Sequence, residues 1–197
     1  MSWSRRAFGR GVGLGVAALG VAGPRSTRAA ATGSAASVRK ATIIARAMSY
    51  ERSLSARVGE SLRLAILYAG GQMDSLQDAE RWKAAFAGLD GIKIYDMPLV
   101  VSTYPWGGEA ASVLHELGTD VLVVCDGLGG QLSNITAFTR RDRLLSVGTQ
   151  RPYLDNACTL GVFEDSGKPE IVINLSAAER EDLKFSSRLL KLAKVIR

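Results

Sequence analysis

The sequence predicts an α/β fold, a layered Rossmann-like sandwich with a mostly parallel central sheet and an antiparallel C-terminal hairpin. Three observations predict it. Leu62–Tyr68 (LRLAILY) and Val121–Cys125 (VLVVC) are near-continuous apolar runs, as strands covered on both faces require. The segments between such runs carry apolar residues at helical spacing. Near the end, Thr159–Phe163 and Glu170–Leu175 flank Ser166-Gly167-Lys168, a turn sequence that folds two strands into a hairpin. A chain of 197 residues is long enough to bury one core without metals or several disulfides.

In order along the chain, Val38–Val58 predicts a helix, because Ile43, Ala47, Tyr50 and Leu54 fall 4, 3 and 4 apart. The strand Leu62–Tyr68 follows and is closed by Gly70-Gly71. Ser75 with Asp78 has a capping-box pattern, and Leu76, Ala79, Trp82 and Phe86 form the face of the next helix. Ile92–Tyr95 and Leu99–Tyr104 read as strands separated by Pro98. Pro105-Trp106-Gly107-Gly108 reads as a turn and Glu109–Leu117 as a short helix. After Val121–Cys125, the turn Gly127–Gly130 leads to a helix over Leu132–Thr139, and Leu144–Val147 is another strand. No repeat of 20–50 residues is visible.

The stretch Glu170–Arg197 is the most informative. Ile171, Ile173 and Leu175 alternate with Val172 and Asn174 as in a buried strand. Ser176 with Glu179 suggests a capped short helix. Phe185, Leu189, Leu192 and Ile196 then predict an amphipathic helix with Arg188, Lys191 and Lys194 on its wet side.

Residues 1–31 read as an export leader. Ser4-Arg5-Arg6-Ala7-Phe8 is a twin-arginine pattern carried by Arg5, Arg6 and Phe8, and Gly11–Gly23 is an uncharged apolar run too short to span a bilayer. Small residues around Ala29–Ala31 offer cleavage sites, and 32–37 read as a flexible linker before a domain at 38–197. The formal charge of +6 is concentrated in this leader, whose five arginines account for all but +1 of it. The expectation is therefore a periplasmic protein exported by the twin-arginine route. Nothing in the charge pattern suggests nucleic-acid binding.

Candidate chemistry is sparse. Cys125 and Cys158, an even pair in an exported chain, suggest a disulfide; the other reading is two buried thiols. Gly127-Leu128-Gly129-Gly130 resembles a phosphate-cradling turn, but Leu132 stands where the third glycine of G-x-G-x-x-G belongs. His115, the sole histidine, lies on the outer side of its helix and has no nucleophile elbow to serve. Asp165, Glu179, Glu181 and Asp182 read as capping or solvated carboxylates. The sequence thus implies no catalytic residue, no metal site and no cofactor. Asn174, Ser186, Ser187 and Arg188 either line a partner surface or satisfy backbone at a strand end and a helix start.

Ile173-Asn174-Leu175 followed by Ser186-Ser187-Arg188-Leu189-Leu190-Lys191-Leu192-Ala193 resembles the closing motif of the YfiR family. Gly161-Val162-Phe163-Glu164-Asp165 with Gly167 resembles the hairpin that precedes it there. The aromatic-rich first helix ending in Trp-Pro that is usual in that family is absent; Ala41–Val58 offers only Tyr50. The resemblance implies an exported, non-enzymatic α/β regulator. Such a protein binds the periplasmic sensory part of a membrane-bound diguanylate cyclase, or another membrane sensor protein, and represses it, as a homodimer. Rival classes are a twin-arginine-exported redox or cofactor-binding protein and a small solute-binding module.

Overall fold

A computed structural model describes residues 25–89 and 93–197, with side chains described from residue 35 onward. The expected leader signal at Arg5, Arg6 and Phe8 lies outside the described residues. Helix α1 (Arg25–Met48) comes first and runs through residues 32–37, where the sequence suggests a linker. Alanines at 29–31, 35 and 36 favour that continuation. Ala41, Ile44, Ala45 and Met48 form its buried face. The helix stops ten residues short of the expected Val58, because the chain there turns to pair with residues far downstream.

Strand β1 (Leu62–Ala69) leads to α2 (Met73–Ala87), and β2 (Leu99–Trp106) leads to α3 (Ala110–Glu116). Strand β3 (Val121–Val124) and a single 3-10 turn precede α4 (Leu132–Asp142). Strand β4 (Leu145–Gly148) leads to α5 (Arg151–Asn156), a helix the sequence reading does not mark, although Pro152 fits its first turn. The hairpin of β5 (Leu160–Asp165) and β6 (Lys168–Asn174) follows, then α6 (Leu175–Arg180), α7 (Ser187–Leu190) and β7 (Lys194–Ile196).

Among the described residues the strands form one seven-stranded sheet in the order β2-β1-β3-β4-β5-β6-β7. β1 to β5 are mutually parallel, β5–β6 is antiparallel, and β6–β7 is parallel. The predicted α/β sandwich with its antiparallel hairpin is the observed fold. Leu62, Leu64, Ile66, Val121 and Val123 meet α1 and α2 on one face. Ala65, Leu67, Leu122 and Val124 meet Leu114, Ile135, Phe138 and Leu154 of α3 to α5 on the other. Covering both faces is why these strands read as unbroken apolar runs.

Four local expectations are corrected. β2 continues through Pro105 to Trp106, and it tolerates a proline because it is an edge strand. The expected strand Ile92–Tyr95 is, over the described residues, one bridge between Ile94 and Met97. Tyr95 and Asp96 turn it with φ of 56° and 61°. Ser75 lies inside the first turn of α2 and does not cap it; its hydroxyl accepts the Ala69 N–H at 2.8 Å and donates to the Asp126 carbonyl. The amphipathic helix expected over Phe185–Ile196 is only α7. Phe185 and Leu189 do pack on the core, but Leu192 is 71% exposed and the chain straightens into β7, where Val195 sits opposite Ile173.

Candidate functional site

The C-terminal motif is held by a junction between the two ends of the described chain. Glu51, just past α1, forms an antiparallel bridge with Phe185. Beside it, the Arg52 N–H donates to the Lys184 carbonyl at 2.9 Å and the Ser186 N–H to the Tyr50 carbonyl at 2.9 Å. Alternation across this bridge turns Glu51 and Phe185 inward and leaves Arg52 and Lys184 exposed. The Glu51 side chain, 1% exposed, accepts backbone N–H groups of Ser53 at 3.0 Å, Lys184 at 2.6 Å and Leu54. The Tyr95 hydroxyl lies against the Met48 and Glu51 carbonyls, and its pKa is raised by burial and then by the Glu51 charge.

The motif residues divide by role. Asn174 is buried and caps α6, accepting the Ala177 N–H at 3.0 Å while donating to the Leu154 carbonyl at 2.6 Å. That bond displaces the capping box expected for Ser176 and Glu179. Ser186 caps α7 by accepting the Leu189 N–H at 3.3 Å. Ser187 and Arg188 are exposed. Asn174 and Ser186 therefore hold the module together, and Ser187 and Arg188 face outward.

A second buried carboxylate went unread in the sequence. Glu181 is 1% exposed, not a solvated carboxylate, because it shares the inward face of its segment with Ala177 and Ala178. It accepts the Ser146 hydroxyl at 2.6 Å, the Thr159 hydroxyl at 2.6 Å and the Ser146 N–H at 3.2 Å. Burial raises its pKa, and bonds from Ser146, Thr159 and Thr139 offset part of that rise. Only the i+3/i+4 spacing from those two alanines could have signalled it. Glu179, Asp165 and Asp182 are exposed as expected.

The cysteine pair is corrected as well. Cys125 and Cys158 are both free and buried. Cys125 follows β3 and Cys158 precedes β5, with β4 between them, so the strands they adjoin stand two spacings, roughly 9–10 Å, apart. The two cysteines also belong to cores on opposite faces. A disulfide needs Cα atoms within about 7 Å. Burial pushes both thiols well above their ordinary pKa, with Asp78 adding to the effect at Cys125 and Glu181 at Cys158.

In sheets of this strand order, ligands commonly bind at the carboxyl ends of β1 and β3, where the order reverses. Here the start of the turn after β3 is held by the chain's own side chains. Ser75 bridges the end of β1 to Asp126, and Gln72 lies against Gly127 so closely that a Cβ there would sit 2.6 Å from its Oε1. Gly127 is thus crowded by this chain's own side chains, while a Cβ at Gly130 would meet nothing within 4 Å. At the opposite ends of the strands, a groove of about 680 Å³ is lined by Arg57, Arg63, Asp120, His115 and Asp142. His115, its side chain 66% exposed, bonds Asp142 at 2.9 Å. Burial would raise the Asp142 pKa, but bonds from Arg141 and His115 outweigh it and hold it below the usual carboxylate range. Among the described residues no group of three or more His, Cys, Asp or Glu could hold a metal, and no helix is long and apolar enough to cross a membrane.

Comparison with known proteins adds the family. No curated protein matches the sequence. Three solved structures share the fold at low identity. The ABC domain in complex with L-Trp from Streptococcus pneumonia superposes with a TM-score of 0.55 at 13% identity, over 81% of this chain and 62% of that one. A substrate binding protein with adhesive properties from Clostridium difficile, in its ligand-free, open structure, gives 0.52 at 10%, over 73% and 57%. A conserved domain protein from Vibrio cholerae gives 0.50 at 14%, over 68% and 54%. The chain spans less than two thirds of the length of each. The family profile DUF4154, YfiR/HmsC-like, matches residues 37–194, which takes in the core sheet, the buried carboxylates and the C-terminal motif. The chain belongs to the YfiR/HmsC-like family of periplasmic regulators.

Proposed function

We propose that this chain is an exported, non-enzymatic regulator that binds the periplasmic sensory part of a membrane-bound diguanylate cyclase and represses it. The observation that carries this reading is the family match over residues 37–194, with Asn174, Ser186, Ser187 and Arg188 at its C-terminal end. The pattern at Arg5, Arg6 and Phe8 supports export by the twin-arginine route, with the leader removed near residue 31. Repression is then a population shift in which the regulator binds the inactive cyclase more tightly than the active one. Moving a two-state cyclase from mostly active to mostly inactive takes a differential affinity of about 10⁴. A homodimer would present two copies of the docking surface.

Crosslinking from the periplasmic face, followed by identification of the captured membrane protein, tests the partner. Deleting the gene should raise cyclic-di-GMP; an unchanged level would sink the proposal. A second reading, a small-solute module, draws on the neighbours named above, one solved with L-Trp and one described as substrate binding. Thermal shift with free amino acids tests it, and a flat response leaves the regulator reading alone.

A further inference from the structure

We propose that the surface around α7 docks on a lipid bilayer carrying anionic phospholipid headgroups. Arg46 near the end of α1, Arg52 and Lys184 across the bridge, and Arg188 and Lys191 on α7 and the turn after it are all exposed. None of the five forms an ion pair among the described residues, whereas Lys194 nearby is paired with Glu170. From Leu183 to Arg197 the chain has no Asp or Glu, and the adjoining exposed Asp182 is paired with Arg143 at 3.7 Å, so the cations here outnumber the carboxylates. The junction sets Arg52 beside Lys184, and the α7 segment that carries Arg188 and Lys191 follows directly from it. The bridge that turns Glu51 and Phe185 inward turns Arg52 and Lys184 outward, and Arg188 and Lys191 are exposed on α7 and just after it. Next to Lys191 stands Leu192, 71% exposed, the most exposed large apolar side chain of the described residues.

The choice of a bilayer over a protein follows from the character of this surface. A protein partner's energy concentrates in pockets filled by aromatic or arginine anchors. Here the charges are spread on long, unpaired side chains around one protruding leucine. That arrangement suits a plane of phosphate headgroups, which attracts clustered Lys and Arg and admits a shallow apolar side chain. This goes beyond the regulatory reading and needs no protein partner, so the two can fail separately. It would confine a regulator to the surface where a membrane partner diffuses.

Co-sedimentation with sucrose-loaded vesicles tests it, using the full chain; because the leader carries five arginines of its own, the difference between variants that share it is the deciding readout. The chain should bind vesicles of phosphatidylglycerol and phosphatidylcholine in equal parts at least about tenfold more tightly than phosphatidylcholine alone, and lose affinity as salt rises. R188E/K191E should weaken the binding about tenfold or more and Leu192→Asp about threefold, while Lys83→Glu, on α2, should leave it unchanged. Unchanged urea midpoints would establish that the variants fold. Binding indifferent to headgroup charge, or equal in R188E/K191E and the parent, overturns the proposal. So does a parent that ignores the vesicles while R188E/K191E loses crosslinking to a membrane protein, which would assign the surface to an acidic protein instead.

Discussion

The Glu51 carboxylate accepts the backbone N–H of Lys184 at 2.6 Å across 133 residues of sequence. Ser53 and Leu54 donate to the same carboxylate from their own turn. Glu51→Ala leaves these amides without their acceptor, and each buried donor so orphaned costs about 1–3 kcal/mol. The variant should lose about 3 kcal/mol in urea unfolding, with Glu51→Gln intermediate. An unchanged midpoint for the alanine variant would refute the anchoring role.

Glu181 should impose a pH dependence of its own. Its folded-state pKa is raised above the ordinary 4.5, chiefly by burial. The folded state therefore holds the proton more tightly than the unfolded chain. This contribution to stability is complete below about pH 4.5 and is lost as pH rises through the folded value. Glu181→Gln removes that titration. The stability of the parent relative to the variant should be greatest in acid and shrink toward neutrality, which paired urea titrations at pH 4.5 and 7.5 would measure. A difference constant with pH would exclude Glu181 as the titrating group.

The motif residues should rank by their bonds. Asn174→Ala removes the α6 cap and orphans the Leu154 carbonyl, costing about 2–3 kcal/mol. Ser186→Ala removes one cap bond, worth about 1 kcal/mol, and Ser187→Ala, at an exposed position, should be within about 0.5 kcal/mol of the parent. Chemical denaturation gives the order directly, and a Ser187 variant as costly as the Asn174 one would contradict it.

Both thiols should be silent in the native protein. Cys125 and Cys158 are buried with raised pKa, so a colourimetric thiol reagent should react with neither until urea is added, and then with both without reductant. Reductant should leave the melting temperature unchanged. Fewer than two reactive thiols in urea would mean that oxidation had linked them.

How far the fold was legible depended on where each signal lay. β1 and β3 announced themselves because helices cover both of their faces, and the hairpin because its turn is local. β7 did not. Phe185, Leu189, Leu192 and Ile196 fit a helical period by coincidence, since Leu192 points to solvent and Ile196 lies in a three-residue edge strand. The buried carboxylates were hidden for another reason. Glu51 is satisfied partly by Lys184, and Glu181 by Ser146 and Thr159, partners separated from them by a strand, a helix or most of the chain. The cysteine pairing failed on sheet order, which placed β4 between the strands that the thiols adjoin. Asn174 was legible as a residue that satisfies backbone, though its partners were not.

The bridge between Glu51 and Phe185 also has a bearing on synthesis. During translation the first helix emerges well before Lys184, so one of the donors that complete the Glu51 shell is missing until 133 further residues have been made. A nascent fragment without Phe185 lacks the bridge that covers this carboxylate, so the region around Glu51 should stay unsettled on the ribosome. Consolidation there waits on Lys184 and Phe185, so an earlier segment is secured by a much later one.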